Sequence, residues 1–250
     1  MLTAQTVVLV VAAFALGGFV KGAIGMGLPV VVLTLLVLVM PLKAAMAIFL
    51  IPGVAANLWQ ATNGPYLPGL ARRLWPYLLA SVLGIVAGVF LTADAPTDPM
   101  VMVLGGLLIL YSVFSLAGPR LPQPGRHEHW LSPLAGASGG VMFGMVGVYT
   151  VPGLLYLETL RLPRDQMVQG LGLTFVTIST TLLLSMAGVD LVTSEMALLS
   201  VLGLAPAFAG IWAGRRIRHR ISETFYRRLF FIALIASGIY MIANAMGVFG

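Results

Sequence analysis

The sequence predicts an all-α polytopic membrane protein made of two inverted repeats, each a short broken or re-entrant helix pair followed by three transmembrane helices. Three observations predict it. First, 59% of the 250 residues are hydrophobic and only 9% are charged. A soluble domain is about 25% charged, so this much apolar surface needs lipid as its solvent. Second, the stretch Gly17-Gly18-Phe19-Val20-Lys21-Gly22-Ala23-Ile24-Gly25 returns as Gly139-Gly140-Val141-Met142-Phe143-Gly144-Met145-Val146-Gly147, its four glycines all displaced by 122 positions. Third, loops that are basic in one half are acidic or neutral at the matching places of the other.

In chain order, apolar segments run over residues 5–20, 26–40, 44–61, 74–93 and 99–117. A Pro-rich polar connector over 118–130 is expected in the cytoplasm. The second set covers 131–145, 148–160, 166–188, 196–214 and 225–247. The first repeat is therefore 1–117 and the second 131–250, together one integral membrane domain. A full span needs about 20 apolar residues. The first two segments of each half fall short, and the glycine-rich stretch at their junction reads as a helix break that lines a cavity. Pro41 and Pro163 keep the 122 offset, as do Leu33 and Leu155, Leu38 and Leu160, and Gly88 and Gly210.

Charge supplies the orientation. Arg72 and Arg73 fall opposite Ser194 and Glu195, and Asp94 and Asp98 fall opposite Arg216 and Arg220. Basic loops stay in the cytoplasm, so matching loops should lie on opposite faces and the repeats should be inverted. If each short pair crosses twice or re-enters, one face holds Arg72, Arg73, Arg120, Arg126, Arg161, Arg164, Arg215, Arg216, Arg218, Arg220, Arg227 and Arg228. The other holds Lys43 with Asp94, Asp98, Asp190 and Glu195. Both termini are then extracytoplasmic, in an inner-membrane multi-pass protein. A single broken span per pair would instead scatter the basic loops over both faces.

The net charge of +6 is thus a topology signal and not a nucleic-acid one. With no cysteine there is neither a disulfide nor a thiolate metal site. The apolar N-terminus has no basic residue before Lys21 and reads as a retained first segment.

The glycine pattern resembles that of the sulfite exporter TauE/SafE family. The residues that carry the resemblance are Gly18 to Gly27 with Leu42 to Ala47, then Gly139 to Gly147 with Leu162 to Gly170. The resemblance implies a secondary transporter that exports small sulfur-containing anions, sulfite or organosulfonates such as sulfoacetate, by alternating access. Its expected partners are a small anionic substrate and the lipid bilayer, with a homodimer left open; no nucleic acid, metal or cofactor is expected. The other reading is a membrane subunit or scaffold of a larger permease complex.

Candidate binding residues follow from the breaks and from polar groups deep in apolar sequence. A helix N-terminus carries roughly half a positive charge and free N–H groups, a ready anion site. Gly22, Gly25, Gly27, Gly144 and Gly147 are the backbone candidates, although Gly18/Gly22 and Gly140/Gly144 also fit the small-xxx-small spacing of close helix packing. Lys21 either meets the anion or extends to the interface. Phe143 stands at its matching position; Tyr149, which stands where the first copy has Gly27, is a further binding candidate. Asn57, Gln60, Thr174 and Ser179 offer amides and hydroxyls that hold an anion without a buried charge, or else bond backbone. Gly136-Ala137-Ser138-Gly139 matches a GxSG serine-protease pattern, but His127, His129 and His219 all lie in loops, which argues against an enzyme.

Overall fold

A computed structural model describes residues 3–25, 27–118, 121–217 and 223–248. Met26, Pro119, Arg120, Arg218, His219 and Arg220, and the side chain of Arg227, lie outside the described residues. Every regular element among the described residues is helical: α1 (Ala4–Ile24), α2 (Leu28–Leu36), α3 (Leu42–Thr62), α4 (Leu67–Thr92), α5 (Thr97–Ala117), α6 (Glu128–Val146), α7 (Leu155–Thr159), α8 (Arg164–Gly188), α9 (Ser194–Leu202), α10 (Leu204–Ile217) and α11 (Glu223–Ala245). Seven spans among these residues are long and apolar enough to cross a membrane, with α9 and α10 counted as one.

Helix ends follow local chemistry. Thr3 caps α1 by accepting from the Thr6 N–H at 3.2 Å, and Thr193 caps α9 by accepting from Met196 N–H. Pro163 is the N-cap of α8, and Pro41 precedes α3. Proline limits the preceding chain to extended conformations and opens helices well, so the two repeat-related prolines mark the same boundary.

The helix lengths correct one expectation. The first segment of each half is not short: α1 has 21 residues and α6 has 19. At 1.5 Å per residue α1 is about 31 Å long, the thickness of a hydrocarbon core. Only the second member is short, nine residues in α2 and residues 150–159 in the other half. The glycines explain the difference. No helix ends at Gly17-Gly18; α1 runs straight through them, as α6 runs through Gly139, Gly140 and Gly144. A methyl on Gly18 would collide with the Ala207 carbonyl, and one on Gly22 with that of Ile211. Close backbone packing against α10 offsets the roughly 1 kcal/mol that a glycine costs inside a helix.

The chain forms two compact units that do not coincide with its two halves. One comprises Met1–Pro52, Pro96–Pro119 and Leu191–Gly250; the other comprises Gly53–Ala95 and Arg120–Asp190. In the first, α1 packs on α10 and α5 on α11; in the second, α6 packs on α4 and α8 on α4. Each unit thus joins the broken pair of one half to the fourth helix of the other.

The packing repeats residue by residue. Gly18 and Gly22 meet Ala207 and Ile211, as Gly140 and Gly144 meet Ser81 and Ile85. Gly210 and Gly214 meet Ala15 and Phe19, as Gly84 and Gly88 meet Ala137 and Val141. The broken pair keeps the 122 offset, but the fourth helix is shifted by 126. Gly88 therefore corresponds to Gly214 and not to Gly210. Four extra residues are about one helical turn, so the helix face is preserved while the sequence register slips.

Candidate functional site

Each helix pair breaks at one glycine. Gly25 takes φ 99° and its N–H donates to the Lys21 carbonyl at 2.7 Å. Gly147 takes φ 74° and its N–H donates to the Phe143 carbonyl at 2.8 Å. Donors and acceptors both match at the 122 offset. Left-handed backbone favours glycine because it has no Cβ, so the sequence repeat records a repeated backbone turn.

Beyond that turn the two breaks diverge. Gly27, with φ 103°, opens α2, and Pro29 sits in its first turn. A Cβ on Gly27 would lie 3.0 Å from Val20 Cγ1 and 3.4 Å from Phe230 Cζ. The second break leads instead into an irregular π-type turn over Thr150–Leu154, where Val151 is non-helical. The expected pair of matching helix N-termini is therefore not present. Tyr149 is the physical reason. Its ring lies against Gly153 and Gly139, where larger side chains would collide with it, and this bulk takes the place of a tight glycine turn.

Tyr149, a predicted site residue, is the centre of a buried network whose other members, Tyr77 and Ser81, sequence reasoning missed. Its ring makes edge-on contacts with Tyr77, Phe143 and Phe175 at centroid distances of 6.1, 5.9 and 6.4 Å. Ser81 Oγ donates to the Tyr77 carbonyl at 2.7 Å. Its one proton is thereby used, so the Tyr149 hydroxyl donates to Ser81 Oγ, at 2.6 Å. The Tyr77 hydroxyl donates to the Gly153 carbonyl at 2.9 Å, and its ring stacks on Tyr156 at 5.6 Å. In the other unit the matching positions are Gly203, Ala207 and Gly27, and Phe14 fills the space over Gly203. A comparison at the 126 offset, not 122, would have exposed Tyr77 and Ser81 as departures from the repeat.

The predicted polar residues separate into bonded and unbonded groups. Gln60 Nε2 donates to the Val168 carbonyl at 2.8 Å. Gln169 answers with 2.8 Å bonds to the Ala61 and Gly64 carbonyls, and its Oε1 accepts from the Tyr66 N–H at 2.9 Å. These amides join α3 to α8 and fix the turn before α4, which gives Gln60 a structural task. Asn57 is buried one turn earlier. Thr177 and Thr181 bond carbonyls of their own helix. Thr174 and Ser179 are fully buried with no hydrogen-bond partner, and so is the hydroxyl of Thr150, beside Tyr149.

The predicted site residues divide between the units. Lys21, Gly22, Gly25 and Gly27 lie in the first; Asn57, Gln60, Gly144, Gly147, Tyr149, Thr174 and Ser179 lie in the second. Gly22 and Gly144 are packing glycines, each facing a backbone carbonyl of the neighbouring helix. Lys21 is buried one turn before the first break. Ser138 donates to the Leu134 carbonyl at 2.6 Å, a bond within its own helix.

Comparison with known proteins adds one finding. The family model described as Sulfite exporter TauE/SafE matches residues 9–241, nearly the whole chain. No curated protein and no solved structure matches it.

Proposed function

Because this chain belongs to the sulfite exporter TauE/SafE family, a family of multi-pass membrane transporters, we propose that it exports small sulfur-containing anions such as sulfite or organosulfonates by alternating access. The observation that carries the reading is the repeated break. The first helix of each pair ends in the same glycine turn, inside apolar sequence where irregular backbone is tolerated only against protein or a cavity. The two turns differ in what they offer an anion. The first has the buried Lys21 side chain one turn away, and the second has neutral hydroxyls. We assign Lys21 to contact with the anion at the first break.

The loop charges support an inverted arrangement, with the basic connector in the cytoplasm and both termini outside, in the inner membrane. Arg72, Arg73, Arg126, Arg161, Arg164, Arg215 and Arg216 are all exposed, as headgroup-facing anchors require. The test of the function is flux of sulfite and sulfoacetate in liposomes containing the purified protein. Protein-dependent efflux of either anion is expected. Transport of a cation, with neither anion moving, overturns the reading.

A further inference from the structure

We infer that α3 carries a hinge at Pro52–Gly53, held in its present setting by the Ser200 hydroxyl, about which the two compact units change their angle during transport. The inference rests on the transport reading for its purpose, but its own ground is the way α3 is built and anchored.

The chain passes between the units after Pro52, Ala95, Pro119 and Asp190. The last three crossings lie between helices. The first lies inside one, midway along the 21 residues of α3. An unbroken helix there would join the units as a stiff rod. Proline and glycine are the two least favourable residues in a helix interior, and here they stand side by side at the crossing. Pro52 has no N–H to give the Ile48 carbonyl, and its ring crowds that carbonyl. Gly53 adds backbone freedom at the next residue. A hinge is a few residues of this kind that absorb a change in φ and ψ. Two further interior prolines, Pro76 of α4 and Pro133 of α6, each lie within a single unit.

Each part of α3 is tied into its own unit. Just before the crossing, the Ile51 N–H donates to Ser200 Oγ at 3.1 Å. Ser200 belongs to the same unit and is fully buried in α9, one turn before that helix stops at Gly203. Serine side chains satisfy backbone groups beside breaks in membrane helices, so this bond steadies the first part of α3 at its end. Beyond the crossing, Gln60 donates to the Val168 carbonyl and Gln169 to the Ala61 carbonyl, both at 2.8 Å. Gly172 brings the α8 backbone against Ala61, with no room for a methyl group between them. With both parts anchored, a change of angle falls on the two residues that join them.

The test uses the full-length protein in liposomes. The chain has no cysteine, and Gly106 in the first unit and Gly69 in the second have open space around them. Gly69→Cys with Gly106→Cys carries a pair of spin labels, and pulsed electron resonance reads the distance between them. Two distances are expected in the otherwise unaltered chain. Pro52→Ala and Gly53→Ala should each stiffen α3, leave one distance and lower sulfite flux about tenfold or more. Pro52→Gly keeps the freedom and should keep both distances and most of the flux. Ser200→Ala removes the acceptor and should change the ratio of the two distances. Pro76→Ala lies within one unit and should change neither distances nor flux. Gel filtration confirms that each variant is folded. A single distance in the unaltered chain, two distances surviving both Pro52→Ala and Gly53→Ala, a ratio unmoved by Ser200→Ala, or an equal loss of flux with Pro76→Ala overturns the inference. Sulfite flux with any of those results leaves the transport reading standing and removes this one. Two distances that Pro52→Ala reduces to one, with no flux of sulfite or sulfoacetate, do the reverse.

Discussion

The Tyr149 hydroxyl donates a hydrogen bond to Ser81 Oγ, whose own hydroxyl donates to the Tyr77 carbonyl. Tyr149→Phe removes one bond and leaves the ring contacts in place. The expected loss is about 1 kcal/mol of stability, read as a lower Tm, with the protein still folded. Lys21 answers to a different force. It is buried, but it lies in the other unit from the hydroxyls. Lys21→Met should lower flux of singly and doubly charged anions by a similar factor, without reordering them. Unchanged flux of both classes would remove this role for Lys21.

Among the elements, the glycine rows of α1 and α6 show how context reverses the sign of one substitution. Alanine is favoured over glycine in a helix by about 1 kcal/mol. Gly106 in α5 has open space around it, so Gly106→Ala should stabilise slightly. Gly22 lies against the Ile211 carbonyl and the Arg215 N–H, and backbone there has no room to yield. Gly22→Ala should cost about 3 kcal/mol through overpacking. Opposite shifts in Tm for these two variants check the argument. Equal shifts would mean that α1 and α10 do not pack as described. Helix boundaries are marked in the sequence where Pro41 and Pro163 fix their own φ and where Gly25 and Gly147 permit the left-handed backbone that ends a helix. The interior glycines misled, since a glycine inside a helix and a glycine ending one look alike until the neighbouring backbone is known.

For the molecule as a whole, the interleaved units make a prediction about folding. The broken pair of each half finds its packing partner in the other half, α1 on α10 and α6 on α4. Residues 1–117 expressed alone lack α10, and residues 131–250 lack α4. Neither fragment should yield monodisperse protein, whereas co-expression of both should. A folded single half would contradict the interleaving. The orientation proposed from loop charge is checked separately. A reporter on the C-terminus should be active outside the cytoplasm, and a tag in the connector should be reachable only from the cytoplasm.

Composition alone required a lipid solvent, because too few polar side chains exist to cover a water-soluble body of this size. Periodic glycines and prolines marked a duplicated unit, since their backbone demands are local and survive divergence. Which helices pair across the two halves, and the one-turn slip that matches Gly88 to Gly214, emerged from packing between residues distant in the chain. The same holds for the site. Thr174, Thr177 and Thr181 have equivalent local sequence, yet Thr177 and Thr181 bond their own helix while Thr174 is buried without a partner. Hydrogen-bond satisfaction depends on burial and on neighbours from other helices, and neither is a property of the local sequence.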